Sequence, residues 1–100
     1  MEKLLEKTTS ISAGEFPKLV RCTWPLGKVV LYADRIVLDA RAERYELPYT
    51  DIDCFQFNLL QMNIEHHRPD VVKDISVNGP FAARAIKDAI RRHDLPVVVR

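Results

Sequence analysis

His66, His67, Arg68 and Asp70 follow one another almost without a gap. Imidazoles beside a carboxylate are the groups that ligate a transition metal or move a proton near neutral pH. The spacing argues against both uses. Neighbouring side chains on a strand point to opposite faces, so His66 and His67 cannot grip one ion from a regular strand. By the same alternation His66 follows Leu60, Met62 and Ile64 toward the core, and His67 follows Glu65 toward solvent. A zinc site would have to recruit Cys54, Glu65, Asp70 or His93 at no recognisable ligand spacing. Proton transfer by His66 and a carboxylate would also need a nucleophile or an oxyanion-stabilising group, and no serine or glycine-rich motif lies nearby. No catalytic, metal-binding or cofactor-binding residue is assigned.

The remaining candidates are weaker. Asp51 and Asp53 share a strand face but lack the further oxygen ligands of a calcium loop; Asp51 is expected to cap the turn after Pro48, and Asp53 to meet solvent or a cross-strand cation. Gly27-Lys28 has neither the glycine spacing nor the following Ser/Thr of a phosphate loop. Cys22 and Cys54 have no short spacing to a second ligand and are expected to be buried, reduced thiols. Arg84, Lys87 and Arg91 line one side of a helix and read as a solvated face, or as a surface for an acidic membrane or partner. Trp24 has two readings: a core residue whose truncation would cost about 3–5 kcal/mol, or, placed before Pro25, an exposed binding anchor.

The elements that hold these residues are mostly strands. A chain of 100 residues with 47% hydrophobic and 29% charged residues fits one ordered domain around one core. The net charge of +1, evenly divided along the chain, gives no basic concentration of the kind nucleic acids select. No long apolar run or secretory pattern is present, so a cytoplasmic location is expected. Residues 1–14 read as an N-terminal extension, with a short helix around Leu4 and Leu5. Alternation then predicts strands over Lys18–Pro25, Lys28–Ala33, Arg35–Asp39, Arg44–Leu47, Asp51–Asn58, Leu59–His66 and Val71–Val77. One amphipathic helix follows Asn78-Gly79-Pro80, with Phe81, Ala82, Ala85, Ile86, Ala89 and Ile90 on its apolar face. Residues 95–100, "LPVVVR", form an apolar tail.

This order, seven short strands and then one C-terminal helix, resembles that of the bacterial pleckstrin-homology-like domains. "CTWPLGKVVLYADRIVL", "YELPYTDIDCF" and "MNIEHHRPDVVKDISVNGPFAARAIKDAI" carry the likeness, over about residues 16–93 within a domain of residues 15–94. The resemblance implies a mainly β fold: seven antiparallel strands in two near-orthogonal sheets or an open barrel, capped by the helix. It implies a binding or scaffold role rather than catalysis, through a protein partner or a homo-oligomer. Val97, Val98 and Val99 are the first candidate surface, because an apolar strand edge is a pairing template. An anionic membrane is the alternative partner, through Lys18, Arg21 and Lys28. Lipid-binding members of the fold place several basic residues around the loop between the first two strands, but Pro25-Leu26-Gly27 is uncharged here.

Overall fold

The computed structural model describes residues 2–14 and 19–100. Among these residues seven antiparallel strands form one curled sheet, a half-barrel, with a single α-helix at the C-terminal end. The strands are β1 (Leu5–Ala13), β2 (Val20–Leu31), β3 (Arg35–Asp39), β4 (Arg44–Pro48), β5 (Ile52–Phe57), β6 (Gln61–His66) and β7 (Ile75–Asn78), followed by α1 (Pro80–Arg92). Their order across the sheet is β4-β3-β2-β1-β7-β6-β5. There is thus one continuous sheet, not two packed face to face.

The N-terminal segment departs most from its sequence reading. It is neither an extension nor a helix but the central strand, paired with β2 on one side and β7 on the other. Thr8, Thr9 and Ile11 are β-branched and suit a strand, and Thr9, Ile11 and Ala13 alternate toward the interior, all buried. β1 therefore joins the β2–β4 meander to the β5–β7 meander.

The two runs expected on either side of Pro25 belong to one strand, β2. Opposite β1, Cys22 pairs with Ile11 and Gly27 with Thr9, so residues 23–26 of β2 span the distance covered by Ser10 alone. The surplus forms a bulge in which Thr23, Trp24, Pro25 and Leu26 are all exposed. A proline within a strand is tolerated where the ladder is interrupted. The total of seven strands is unchanged because β1 adds one and the fusion removes one.

Gly27 marks the return to pairing. A Cβ there would lie 2.6 Å from the Thr9 carbonyl oxygen, a backbone atom that cannot step aside. Gly27→Ala is expected to lose about 1–3 kcal/mol, the usual cost of overpacking, measured as a lower urea midpoint at unchanged slope. An unaltered midpoint would mean that the two strands approach less closely at this position.

The core lies in the concavity of the sheet, where Ile11, Leu31, Leu38, Phe55, Met62 and Val77 are fully buried. α1 closes over β1, β7 and β6, burying Ala82, Ala83, Ile86, Ala89 and Ile90. Pro80 takes the first helical position, and Gly79 precedes it at φ 119°, a backbone conformation that favours glycine. Phe81 differs from its expected place on the apolar face: its side chain is 86% exposed. The buried side of α1 is centred on Ile86, and Phe81 is about 140° away around the helix.

The tail pairs within its own chain. Phe55 donates its N–H to the Val98 carbonyl at 2.8 Å, and Arg100 N–H and C=O bond Phe55 and Phe57 at 2.9 Å each. Val99 sits opposite Phe55 in a parallel bridge, so the tail covers the free edge of β5. Among the described residues no helix is long and apolar enough to cross a membrane.

Candidate functional site

The histidine cluster resolves into structural bonds. His66 is buried on the core side of β6, and its Nε2 lies 2.8 Å from the Val72 carbonyl oxygen. The Arg68 backbone N–H donates to its Nδ1 at 3.1 Å. A carbonyl can only accept and a backbone amide can only donate, so the ring is the neutral Nε2–H tautomer with both nitrogens engaged. Lys73 Nζ donates to the His66 carbonyl oxygen at 2.6 Å, which further fastens the β6–β7 connection. The ring borders a depression also lined by Asp53, Glu65, Lys73 and Asp74, but neither nitrogen is free to take a proton from a molecule there.

His67 points outward, with Nδ1 2.8 Å from Asp53 Oδ1; Asp53 thus meets a cross-strand imidazole. Asp51 lies 3.6 Å from the Arg68 guanidinium. Arg68 also pairs with Asp70 at 2.8 Å, which raises the pKa of the guanidinium and lowers that of the carboxyl, chiefly through their hydrogen bond. Among the described residues no three His, Cys, Asp or Glu side chains are grouped so as to hold a metal ion.

Both cysteines are free and buried. Cys54 Sγ donates to Glu65 Oε2 at 2.8 Å, and that bond, followed by burial, raises the thiol pKa. A protonated, enclosed thiol is a poor nucleophile.

Of the three candidate anion contacts, Lys18 lies outside the described residues. Arg21 stands opposite Ser12 and Lys28 opposite Thr8. Those partners are four residues apart on β1, so the two cations are separated by about 13 Å along the strand direction. They do not form a cluster. Val97, Val98 and Val99 lie in the tail segment that pairs with β5, so the β5 edge at Phe55 is not open. Removing residues 97–100 is expected to cost about 1–3 kcal/mol, from the lost backbone bonds, and to promote self-association through the uncovered edge. Urea unfolding and light scattering check both; unchanged stability would show that the tail is not docked.

A different surface has the features of a binding site. The β2 bulge carries Trp24 out of the sheet, 67% exposed, while its backbone N–H is held by Ser10 Oγ at 2.7 Å. Phe81 stands at the start of α1. Between them runs an open groove of about 430 Å³, lined by Thr8, Thr9, Ser10, Trp24, Asn78, Gly79, Phe81 and Ala82. Among the described residues none that lines it is charged. The floor is fixed by the Thr9 hydroxyl, which donates to the Asn78 carbonyl at 2.8 Å.

The other side of the same helical turn holds a smaller depression, about 170 Å³, lined by Phe57, Asn58, Leu59, Ala83, Arg84 and Lys87. Asn58 Oδ1 accepts the N–H groups of Leu60 and Gln61 at 2.9 Å each, shaping the β5–β6 turn. Leu59 and Leu60 project from that turn, Leu59 89% exposed. Gly79 N–H donates to the Leu60 carbonyl at 2.7 Å, tying the turn to the start of α1.

The sequence reading missed Phe81 by placing it with the buried face. It left Trp24 open between core and anchor. The signal in each case was an interruption: Pro25 in a strand, and alanines supplying the buried side of the first helical turn. No family model matches the chain, and searches of curated proteins and of solved structures found no match.

Proposed function

We propose that the chain is a non-catalytic, pleckstrin-homology-like module that binds a protein, either a separate partner or a second copy of itself, through the surface around Trp24 and Phe81. The curled antiparallel sheet followed by one C-terminal helix supports the pleckstrin-homology-like part of this reading. The observation that carries the binding part is that Trp24 and Phe81 flank an uncharged groove with their rings in solvent, while Tyr45, Tyr49 and Phe55 are buried. Exposed aromatics forgo the stabilisation that burial provides. Contiguous exposed apolar surface marks interaction sites, and tryptophan is enriched among the residues that dominate interface energy.

A membrane-surface role now has little support from Arg21 and Lys28. It would draw instead on Leu59 and the cations of α1.

The apparent size of the tagged chain in extracts of the cells that make it tests the reading. The wild type is expected to elute well above its 11.5 kDa, and a Trp24→Ser, Phe81→Ser double variant to elute as a monomer. A monomeric wild type, or a double variant that keeps its complex, would refute the assignment.

A further inference from the structure

We infer that the partner is an acidic, apolar peptide segment: bulky apolar side chains enter the Trp24–Phe81 groove, and neighbouring Asp or Glu residues lie along the exposed side of α1. The inference rests on the protein-binding reading and adds the partner's chemistry to it.

Charge is the first argument. α1 carries Arg84, Lys87, Arg91 and Arg92 against the single acid Asp88, in a chain whose net charge is only +1. The helix is therefore the cationic part of an otherwise net negative molecule. Among the described residues none of these four cations is in an ion pair, whereas Lys3, Arg35 and Arg68 each have a carboxylate partner. The Lys87 ammonium stands over the Phe57 ring, 5.6 Å from its centroid.

Position is the second. Arg84 and Lys87 line the depression on one side of the first turns of α1, and the uncharged groove lies on the other, with Phe81 at its edge. Among the described residues the groove offers a carboxylate no counter-charge, and an apolar side chain has no reason to leave it. One segment satisfies both surfaces only if its apolar and acidic residues are adjacent. An anionic bilayer shares the charge complementarity, but a groove with Gly79 and Ala82 in its wall fits an inserted side chain better than a flat surface.

The test is selection of random phage-displayed peptides on the immobilised full chain, with counter-selection on Trp24→Ser. Enriched peptides are expected to pair Trp, Phe or Leu with nearby Asp or Glu. A synthesised winner should bind about tenfold more weakly to Lys87→Glu or Arg84→Glu and progressively more weakly as salt rises. Arg84 is exposed and Lys87 partly so, so circular dichroism of these variants should match the wild type. Trp24-dependent peptides that are neutral or basic would overturn the inference and leave the groove reading intact. If no Trp24-dependent peptide is enriched, the inference and the protein-binding reading fall together. Trp24-dependent pelleting with phosphatidylserine vesicles in the absence of any enriched peptide would give the surface to a membrane and overturn the proposal.

Discussion

Deleting residues 2–13 is expected to abolish cooperative folding. β1 is hydrogen-bonded along both edges, opposite residues 20–31 of β2 and residues 76–78 of β7. Without it the two three-stranded halves of the sheet have no common partner, and two previously paired edges are opened. The deletion also removes the buried side chains of Thr9, Ile11 and Ala13. A milder form of the experiment keeps the strand: Ile11→Ala should cost about 2–5 kcal/mol, because Ile11 is fully enclosed and the site leaves a cavity. Domain stabilities are about 5–15 kcal/mol, so the point variant should still melt cooperatively at a lower temperature. The deletion should show no sigmoidal melt and a collapsed spread of amide resonances. A deletion that melts like the wild type would return the segment to the status of a dispensable extension.

Trp24→Ser and Phe81→Ser are expected to separate binding from stability. Fully burying a tryptophan would make its truncation cost about 3–5 kcal/mol. At 67% and 86% exposure, each substitution should instead move the unfolding free energy by no more than about 0.5 kcal/mol, the usual range for surface positions. Association should suffer far more, by about 2 kcal/mol or a factor of thirty for each ring, as for aromatic residues at the centre of an interface. Urea unfolding and a binding isotherm on the same preparations give both quantities. A large stability loss from Trp24→Ser would place the ring in the core. Unchanged affinity would separate the groove from function.

The strands from β3 to β6 were legible because a half-buried strand writes its alternation directly into the sequence. Leu60, Met62, Ile64 and His66 share a parity, and Met62, Ile64 and His66 are buried in β6; Leu60 lies just before the strand and remains exposed. β1 was less legible because its buried positions are Thr9, Ile11 and Ala13, which give a faint hydrophobic signal. Leu4, just before it, and Leu5, its first residue, stand among charged residues and mimic a helical turn. β7 is shorter than expected, since residues 71–74 belong to the connection that His66 and Lys73 fasten.

Trp24 shows why parity has limits. Counting from Val20 and Cys22 puts it on the core face, and Cys22 is indeed buried. The bulge then interrupts the ladder, and the alternation restarts on the other side of Gly27. Phe81 is a similar case in a helix, where apolar character alone says less than angular position. The groove depends on both residues and on the approach of β1 to the start of α1, a contact between distant parts of the chain that no local pattern encodes.

Photo-crosslinking in the cells that make the chain tests the central claim most directly. Benzoylphenylalanine in place of Phe81 is expected to give a discrete protein adduct, to a partner or to a second copy, that disappears when Trp24→Ser is added. The same probe in place of Thr50, exposed on the turn between β4 and β5, should give none. Equal labelling from both positions, or no adduct from position 81, would contradict the account.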